Sequence, residues 1–234
     1  MVSAILFDFG GTLDADGLHW LDRFYRIYEQ IGLSTIPKDN IKEAFYWADA
    51  QADHHPSMSS ADLRAMMELH VHWQFEKLKI VDAALEQQAV QAFVRPAERI
   101  LRRNRHILET LNYAGLKLGV VSNFYGNIEA LCREFRYLPF IHGIFDSAVV
   151  GLKKPDPRFF EHALARLGIV RPQDAAFVGD SFERDMLPAK SVGMITFWLL
   201  GDQRKTAPDP SKVDRILLSL EDLPREFPAP EAGR

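Results

Sequence analysis

The 234-residue chain holds a single cysteine, Cys132. One thiol closes no internal bridge, which excludes a disulfide-stapled miniprotein, and a lone thiol fits a reducing compartment, so a cytoplasmic home is expected. Cys132 lies in Ile128-Glu129-Ala130-Leu131-Cys132, which reads as the apolar side of a helix and marks the thiol as packing, not as a nucleophile. Positive charge is not in excess: 28 Lys and Arg against 32 Asp and Glu leave a net charge of -4. That balance offers nothing to a nucleic acid or an anionic membrane. Long apolar runs are also missing. Val2 to Phe7 is cut off by Asp8 and two glycines, too short for a membrane span, and it lacks the basic lead of a signal peptide. No segment repeats at a fixed period and none is of low complexity.

What is present is an ordinary globular composition, 47% apolar and 26% charged, in a chain long enough for one or two domains. Val2 to Phe7 reads as a buried parallel strand that ends at Asp8-Phe9-Gly10-Gly11-Thr12, where glycines permit a sharp turn. Leu116 to Val121, Ala175 to Val178 and Met194 to Leu199 read the same way, with Ile144 to Val150 a weaker further strand. Helical patterns such as Ile100 to Ala114 and Pro157 to Leu167 alternate with them. The expected fold is therefore α/β, a doubly wound parallel sheet.

From about Leu18 to Phe93 the alternation stops. Leu21, Phe24, Tyr25 and Tyr28 follow helical spacing, as do Ile41, Ala44, Phe45 and Ala48, and then Leu63, Met66, Met67, His70, Val71, Gln74 and Phe75. These predict an α-helical cap over residues 17–94, inserted into a core made of residues 1–16 and 95–205, with Asp53 to Ser60 as a loop and the return crossing near Val94-Arg95-Pro96. Residues 206–234 are expected to be partly irregular, with prolines, one short helix around Asp214 to Leu220 and a frayed end.

The polar residues of interest fall just after the strands. Asp8 follows the first and Ser122-Asn123 the second, Lys154 lies in Lys153-Lys154-Pro155-Asp156-Pro157, and Asp180 and Asp185 follow Gly179. In a doubly wound sheet such loops converge on one crevice. Carboxylates from separate strands are the hard oxygen donors that Mg²⁺ prefers, and a lysine with a hydroxyl suits the remaining oxygens of a phosphate. Asp8 is then placed as a carboxylate nucleophile that accepts a phosphoryl group. Singly, each residue has a plain structural reading as a turn, a cap or a solvated charge. Their joint placement favours one reaction.

Asp8-Phe9-Gly10-Gly11-Thr12-Leu13, Val121-Ser122-Asn123, Lys153-Lys154-Pro155-Asp156-Pro157 and Gly179-Asp180-Ser181 with Asp185 resemble the four motifs of the haloacid dehalogenase-like hydrolase superfamily. The resemblance implies a Mg²⁺-dependent phosphatase with a helical cap, acting on a small phosphorylated metabolite. Asp8 would be the nucleophile, Ser122 and Asn123 would bind phosphate, and Lys154 would steady both. Asp8, Asp180 and the Gly10 carbonyl would hold the metal, with Asp185 behind them. The departure is Gly10, where phosphatases of the superfamily usually carry a second aspartate that protonates the leaving alkoxide. Asp14, Asp16 and His19 are nearby acids, and a substrate with a good leaving group needs none. Carbon–halogen dehalogenases of the superfamily also lack that aspartate but work without Mg²⁺, and a non-catalytic phosphate- or partner-binding domain is a third reading. Monomer and dimer both remain open.

Weaker signals have plain readings. Trp20, Tyr46, Trp47 and Trp73 could line a pocket, although aromatic residues at helical spacing usually form core. Adjacent His54 and His55 point apart, and His70 and His72 do not share a helical face, which argues against a second metal. The five arginines between Arg95 and Arg105 spread over several helical faces as a solvated surface. A Rossmann dinucleotide site would need a third glycine after Gly10-Gly11, and a phospho-acceptor receiver domain has no insertion of this size.

Overall fold

Along the first strand, β1 (Ala4–Phe7), alternate side chains enter different cores: Ile5 and Phe7 on one face, Ala4 and Leu6 on the other. A strand buried on both faces belongs to the middle of a parallel sheet. The computed structural model describes residues 2–202 and 209–228 and places β1 there, in a six-stranded sheet of order β3-β2-β1-β4-β5-β6. The other strands are β2 (Lys117–Ser122), β3 (Ile141–Asp146), β4 (Ala175–Gly179), β5 (Ile195–Leu199) and β6 (Arg215–Leu217), and every pairing is parallel. The chain winds outward from β1 through β2 to β3, then crosses back to β4. The strand order thus reverses beside β1, which opens a crevice at the carboxyl ends of β1 and β4.

Between β1 and β2 lie helices α1 (Trp20–Gln30), α2 (Lys38–Ala52), α3 (Leu63–Leu78) and α4 (Ala83–Tyr113). Apart from the partly buried Tyr25, the apolar stripes expected on the first three are buried, and they join one hydrophobic cluster with the Ile5/Phe7 face of the sheet. The boundary drawn at residues 94/95 falls inside α4, which runs on without a break through Pro96. Proline removes one backbone donor from a helix, but Val90, Phe93, Val94, Ala97 and Leu101 around it are fully buried, and that packing carries the helix through.

The remaining helices are α5 (Ile128–Glu134), α6 (Ser147–Val150), α7 (Pro157–Arg166), α8 (Leu187–Val192) and α9 (Leu223–Glu226). Two expectations need correction. The strand expected over Ile144 to Val150 instead starts at Ile141 and stops at Asp146, because the Asp146 carboxylate accepts the Ala148 N–H at 3.0 Å and caps α6. The helix expected around Asp214 to Leu220 is instead the edge strand β6 followed by a turn. There the Asp214 carboxylate accepts from the Thr196 N–H and hydroxyl at 2.9 and 3.0 Å and from Lys190 Nζ at 2.6 Å, which draws the segment onto β5. The frayed end expected beyond residue 228 lies outside the described residues.

The arginine run does decorate several faces of α4. Arg102 and Arg105 meet Glu98 and Glu109, one helical turn away, at 3.6 and 3.5 Å, while Arg103 reaches Asp16 and Glu221. Cys132 is fully buried and its thiol is pushed up to about 12 by burial, then by Glu129, so it stays protonated and inert.

Candidate active site

Asp8 is the first residue after β1, Ser122 ends β2, Lys154 lies between α6 and α7, and Asp180 follows β4. The parallel register brings them together, and with Asp185 all of them are buried. Three donors converge on Asp8 Oδ1: the Phe9 N–H at 2.8 Å, the Ser122 hydroxyl at 2.6 Å and Lys154 Nζ at 2.8 Å. Lys154 Nζ also donates to Asp185 Oδ1 at 2.6 Å, and Asp185 Oδ2 accepts the Ser181 N–H at 3.0 Å. Asp180 Oδ1 accepts the Thr12 hydroxyl at 3.4 Å, and its backbone carbonyl accepts Trp198 Nε1–H at 2.9 Å.

Two glycines make this crowding possible. A β-carbon on Gly11 would fall 2.6 Å from the Asp180 carboxylate, and its φ of 86° is left-handed as well. One on Gly179 would fall 2.3 Å from Asp185 Oδ2. Gly11 and Gly179 are therefore packing requirements of the carboxylates beside them.

Electrostatics follow from burial. Burial works against the Lys154 charge, but Asp185 and then Asp8 outweigh it and hold its pKa above the usual lysine value. Burial pushes Asp185 upward and Lys154 pulls it back. One oxygen from each of Asp8, Asp180 and Asp185 lies within 4.8 Å of the others. Lys154 pairs with Asp8 and Asp185, and three carboxylates this close together are a donor set that a hard divalent cation would suit.

These groups open into a cavity of about 370 Å³, within the range of small-molecule sites. Asn123 lines it, but its amide clamps the Lys154 backbone: Nδ2 donates to the Lys154 carbonyl at 2.8 Å and Oδ1 accepts the Lys154 N–H at 2.7 Å. Of the nearby acids, His19 lines the cavity, with Nδ1 accepting the Leu21 N–H at 3.2 Å. Asp14 is fully buried, accepting from the Gly11 N–H and Trp20 Nε1–H at 2.7 Å each, with Arg23 at 3.8 Å. Burial above all raises the Asp14 pKa from 3.8 to about 6. Asp16 is tied to Arg103, Ser219 and the Leu220 N–H.

Trp20 and Tyr46 line the cavity, whereas Trp47 and Trp73 are half-buried and do not. Sequence reasoning missed Phe45, Asp49 and Asp53 on and just after α2, Tyr125 beyond β2, and Arg184, all of them in the lining. Phe45 and Asp49 are one helical turn apart, which was the available signal. His70 and His72 do diverge: His70 faces Asp49 at 3.1 Å and His72 faces Glu86 at 3.2 Å.

The family model of the haloacid dehalogenase-like hydrolases matches residues 2–193. The chain belongs to that family. A glyceraldehyde 3-phosphate phosphatase of Methanocaldococcus jannaschii is 34% identical over 129 residues, 53% of this chain and 56% of the relative. The haloacid dehalogenase-like hydrolase domain-containing protein 3 of Bos taurus is 34% identical over 122 residues, 52% of this chain and 48% of the relative. The chain thus spans about half the length of these curated relatives. Among solved structures, a dehalogenase with an intermediate complex superposes with a TM-score of 0.67 at 18% identity, covering 98% of both chains. A phosphatase from Thermococcus onnurineus gives 0.55 at 23% identity, covering 98% of this chain and 99% of its own. These structural likenesses support the α/β fold with its parallel sheet. Among the described residues no helix is long and apolar enough to cross a membrane.

Proposed function

We propose that this member of the haloacid dehalogenase-like hydrolases is a Mg²⁺-dependent phosphohydrolase that acts on a small phosphorylated metabolite, in the cytoplasm, through an aspartyl-phosphate at Asp8. The observation that carries the reading is the convergence of Phe9 N–H, Ser122 Oγ and Lys154 Nζ on Asp8 Oδ1 alone. That fixes the carboxylate and orients Oδ2 as the attacking atom. The phosphatase relatives, each matched over part of its length, support the same reading.

Asp8, Asp180 and the Gly10 carbonyl would hold Mg²⁺, with Asp185 behind them. The buried carboxylate trio fits such a hard cation. When bound, the ion neutralises phosphoryl oxygens beside the carboxylates. Residues 1–16 and 95–205 form the catalytic core in this reading, and residues 17–94 the cap over the cavity.

In the first step Asp8 Oδ2 bonds to phosphorus as the bond from phosphorus to the leaving oxygen breaks. Lys154 and Ser122 steady the phosphoryl oxygens, with Asn123 holding Lys154 in place, and a leaving oxygen that needs a proton takes it from solvent water. Water then attacks phosphorus, releasing inorganic phosphate and restoring the Asp8 carboxylate. A positioned general acid contributes about 10² to 10⁴ in rate. With glycine at residue 10, substrates whose leaving groups need no proton are favoured.

The test is turnover of acetyl phosphate, p-nitrophenyl phosphate and an alkyl phosphate, with and without Mg²⁺. Mg²⁺-dependent release of phosphate from the first two, far above the third, is expected. Gly10 also suits a haloacid substrate, and halide release from a 2-haloacid in a parallel assay without Mg²⁺ would select that second reading.

A further inference from the structure

The cavity that Asp8, Ser122 and Lys154 line is also lined by polar residues on and just after α2. Asp49 lies there, and its Oδ1 accepts from two donors, the Tyr125 hydroxyl and His70 Nε2, the latter at 3.1 Å; neither bond falls on Oδ2. The proton positions follow from the chain of bonds behind it. The Tyr28 hydroxyl donates to Gln74 Oε1 at 3.1 Å, so it is Gln74 Nε2 that donates to His70 Nδ1 at 2.9 Å. That leaves the neutral-imidazole proton on His70 Nε2, pointing at Asp49. His70 and Gln74 are fully buried and Tyr28 nearly so, whereas the Asp49 side chain keeps 31% of its surface accessible.

A relay of this kind, crossing α1 and α3 to end on one half-exposed carboxylate, costs desolvation at every member unless each bond is made. It orients Asp49 as an acceptor inside the cavity that also holds Asp8, Ser122 and Lys154. Asp53, one helical turn on, adds a second carboxylate to the lining, which also includes Lys153. Trp20, Phe45 and Tyr46 line the same cavity, as does Arg184. Cationic and hydroxyl groups suited to phosphate thus share one cavity with an oriented carboxylate and aromatic rings.

We infer that Asp49 reads the organic part of the substrate by accepting from an ammonium group, so that the substrate class is phosphate monoesters bearing a primary amine. This rests on the phosphohydrolase reading and adds a specificity determinant to it. Hydrogen bonds to charged groups contribute enough to discriminate about ten- to a hundredfold.

The test compares phosphoethanolamine with 2-hydroxyethyl phosphate and n-propyl phosphate, three probes of matched length that differ at the far end. With the full chain and Mg²⁺, kcat/KM is measured for each. All three are alkyl esters with similarly poor leaving groups, so turnover is slow and the ratio between them is what is read. Binding of each is also measured by calorimetry to the Asp8→Asn protein, which needs no turnover. Phosphoethanolamine is expected to exceed n-propyl phosphate by about ten- to a hundredfold in both readouts, with 2-hydroxyethyl phosphate well below it. Asp49→Asn, which keeps the shape and loses the charge, should bring the ratio to near one, and Tyr125→Phe should lower it partway. A wild-type ratio near one, equal preference for the hydroxyl probe, or a ratio unchanged in Asp49→Asn would each overturn the inference. Failure of the phosphohydrolase reading is separable, because it would appear as no Mg²⁺-dependent turnover of p-nitrophenyl phosphate while the binding ratio still reports on Asp49.

Discussion

The indole of Trp20 occupies the space that a side chain on Gly10 would need: a β-carbon on residue 10 would fall 3.3 Å from both Cε2 and Nε1 of Trp20. The ring is pinned there by its bond to Asp14 at 2.7 Å and by edge contacts with Phe93 and Phe124. Gly10 itself has φ -71° and ψ 124°, which any residue adopts, so the constraint is packing and not backbone strain.

It follows that Gly10→Asp alone will not create a working acid. The variant should lose about 1–3 kcal/mol of stability through overpacking and gain little alkyl phosphate turnover. Combined with Trp20→Phe, which shortens the ring but removes its bond to the buried Asp14, it should relieve the clash and raise that turnover without restoring full stability. Urea unfolding and steady-state assays on the single and double variants check both halves.

Asn123 holds the Lys154 backbone by two hydrogen bonds. Removing its two bonds to the Lys154 backbone in Asn123→Ala should lower kcat about ten- to a hundredfold, as misplacement of a catalytic group does, with a smaller effect on KM. A change in KM alone would indicate direct phosphate contact instead. Kinetics with acetyl phosphate separate the two.

Asp14 makes stability depend on pH in an unusual direction. Its pKa is about 6 folded against 3.8 as a model group, so the folded state keeps a proton that the unfolded state has released. The stabilising contribution is complete below about pH 4 and lost as pH rises through 6. The cost at neutral pH is about 3 kcal/mol. Asp14→Asn leaves Arg23 without its counter-charge and should be less stable overall. Its deficit relative to wild type should nevertheless shrink by about that amount between pH 4 and 7, measured by denaturant unfolding across that range.

Metal addition should stabilise the fold. At a hundredfold excess over Kd, a ligand that binds only the folded state adds about 2.7 kcal/mol, so millimolar Mg²⁺ should raise Tm and EDTA should reverse the rise. Asp180→Asn should abolish the Mg²⁺-dependent increment, and Asp185→Asn should weaken it. Calorimetric scans with and without Mg²⁺ provide the measurement.

The site was legible in the sequence where chemistry sits at strand ends. Asp8, Ser122 and Asp180 sit at the ends of strands that the parallel register sets side by side, while Lys154 is held in place by Asn123 and Asp185 by the Ser181 N–H. The cap wall was not legible. Helical periodicity separates the buried Ala48 from the partly exposed Asp49, but it does not say that Asp49 faces a crevice in place of solvent. That depends on how α2 packs over Tyr125, a contact across 76 residues. Arg23 passed unnoticed for a similar reason: its charge is buried against Asp14 and the Phe93 carbonyl, both on other segments. Strand β6 escaped because Arg215-Ile216-Leu217 becomes a strand only by pairing with β5, a demand no local pattern carries.

The most direct test is rapid-quench mass spectrometry during turnover of acetyl phosphate with Mg²⁺, with the trapped group mapped by peptide. A single phosphoryl group on Asp8, formed and lost at rates matching kcat and absent in Asp8→Asn, is the expected result. Steady phosphate release with Asp8 never modified, or full activity in Asp8→Asn, would contradict it.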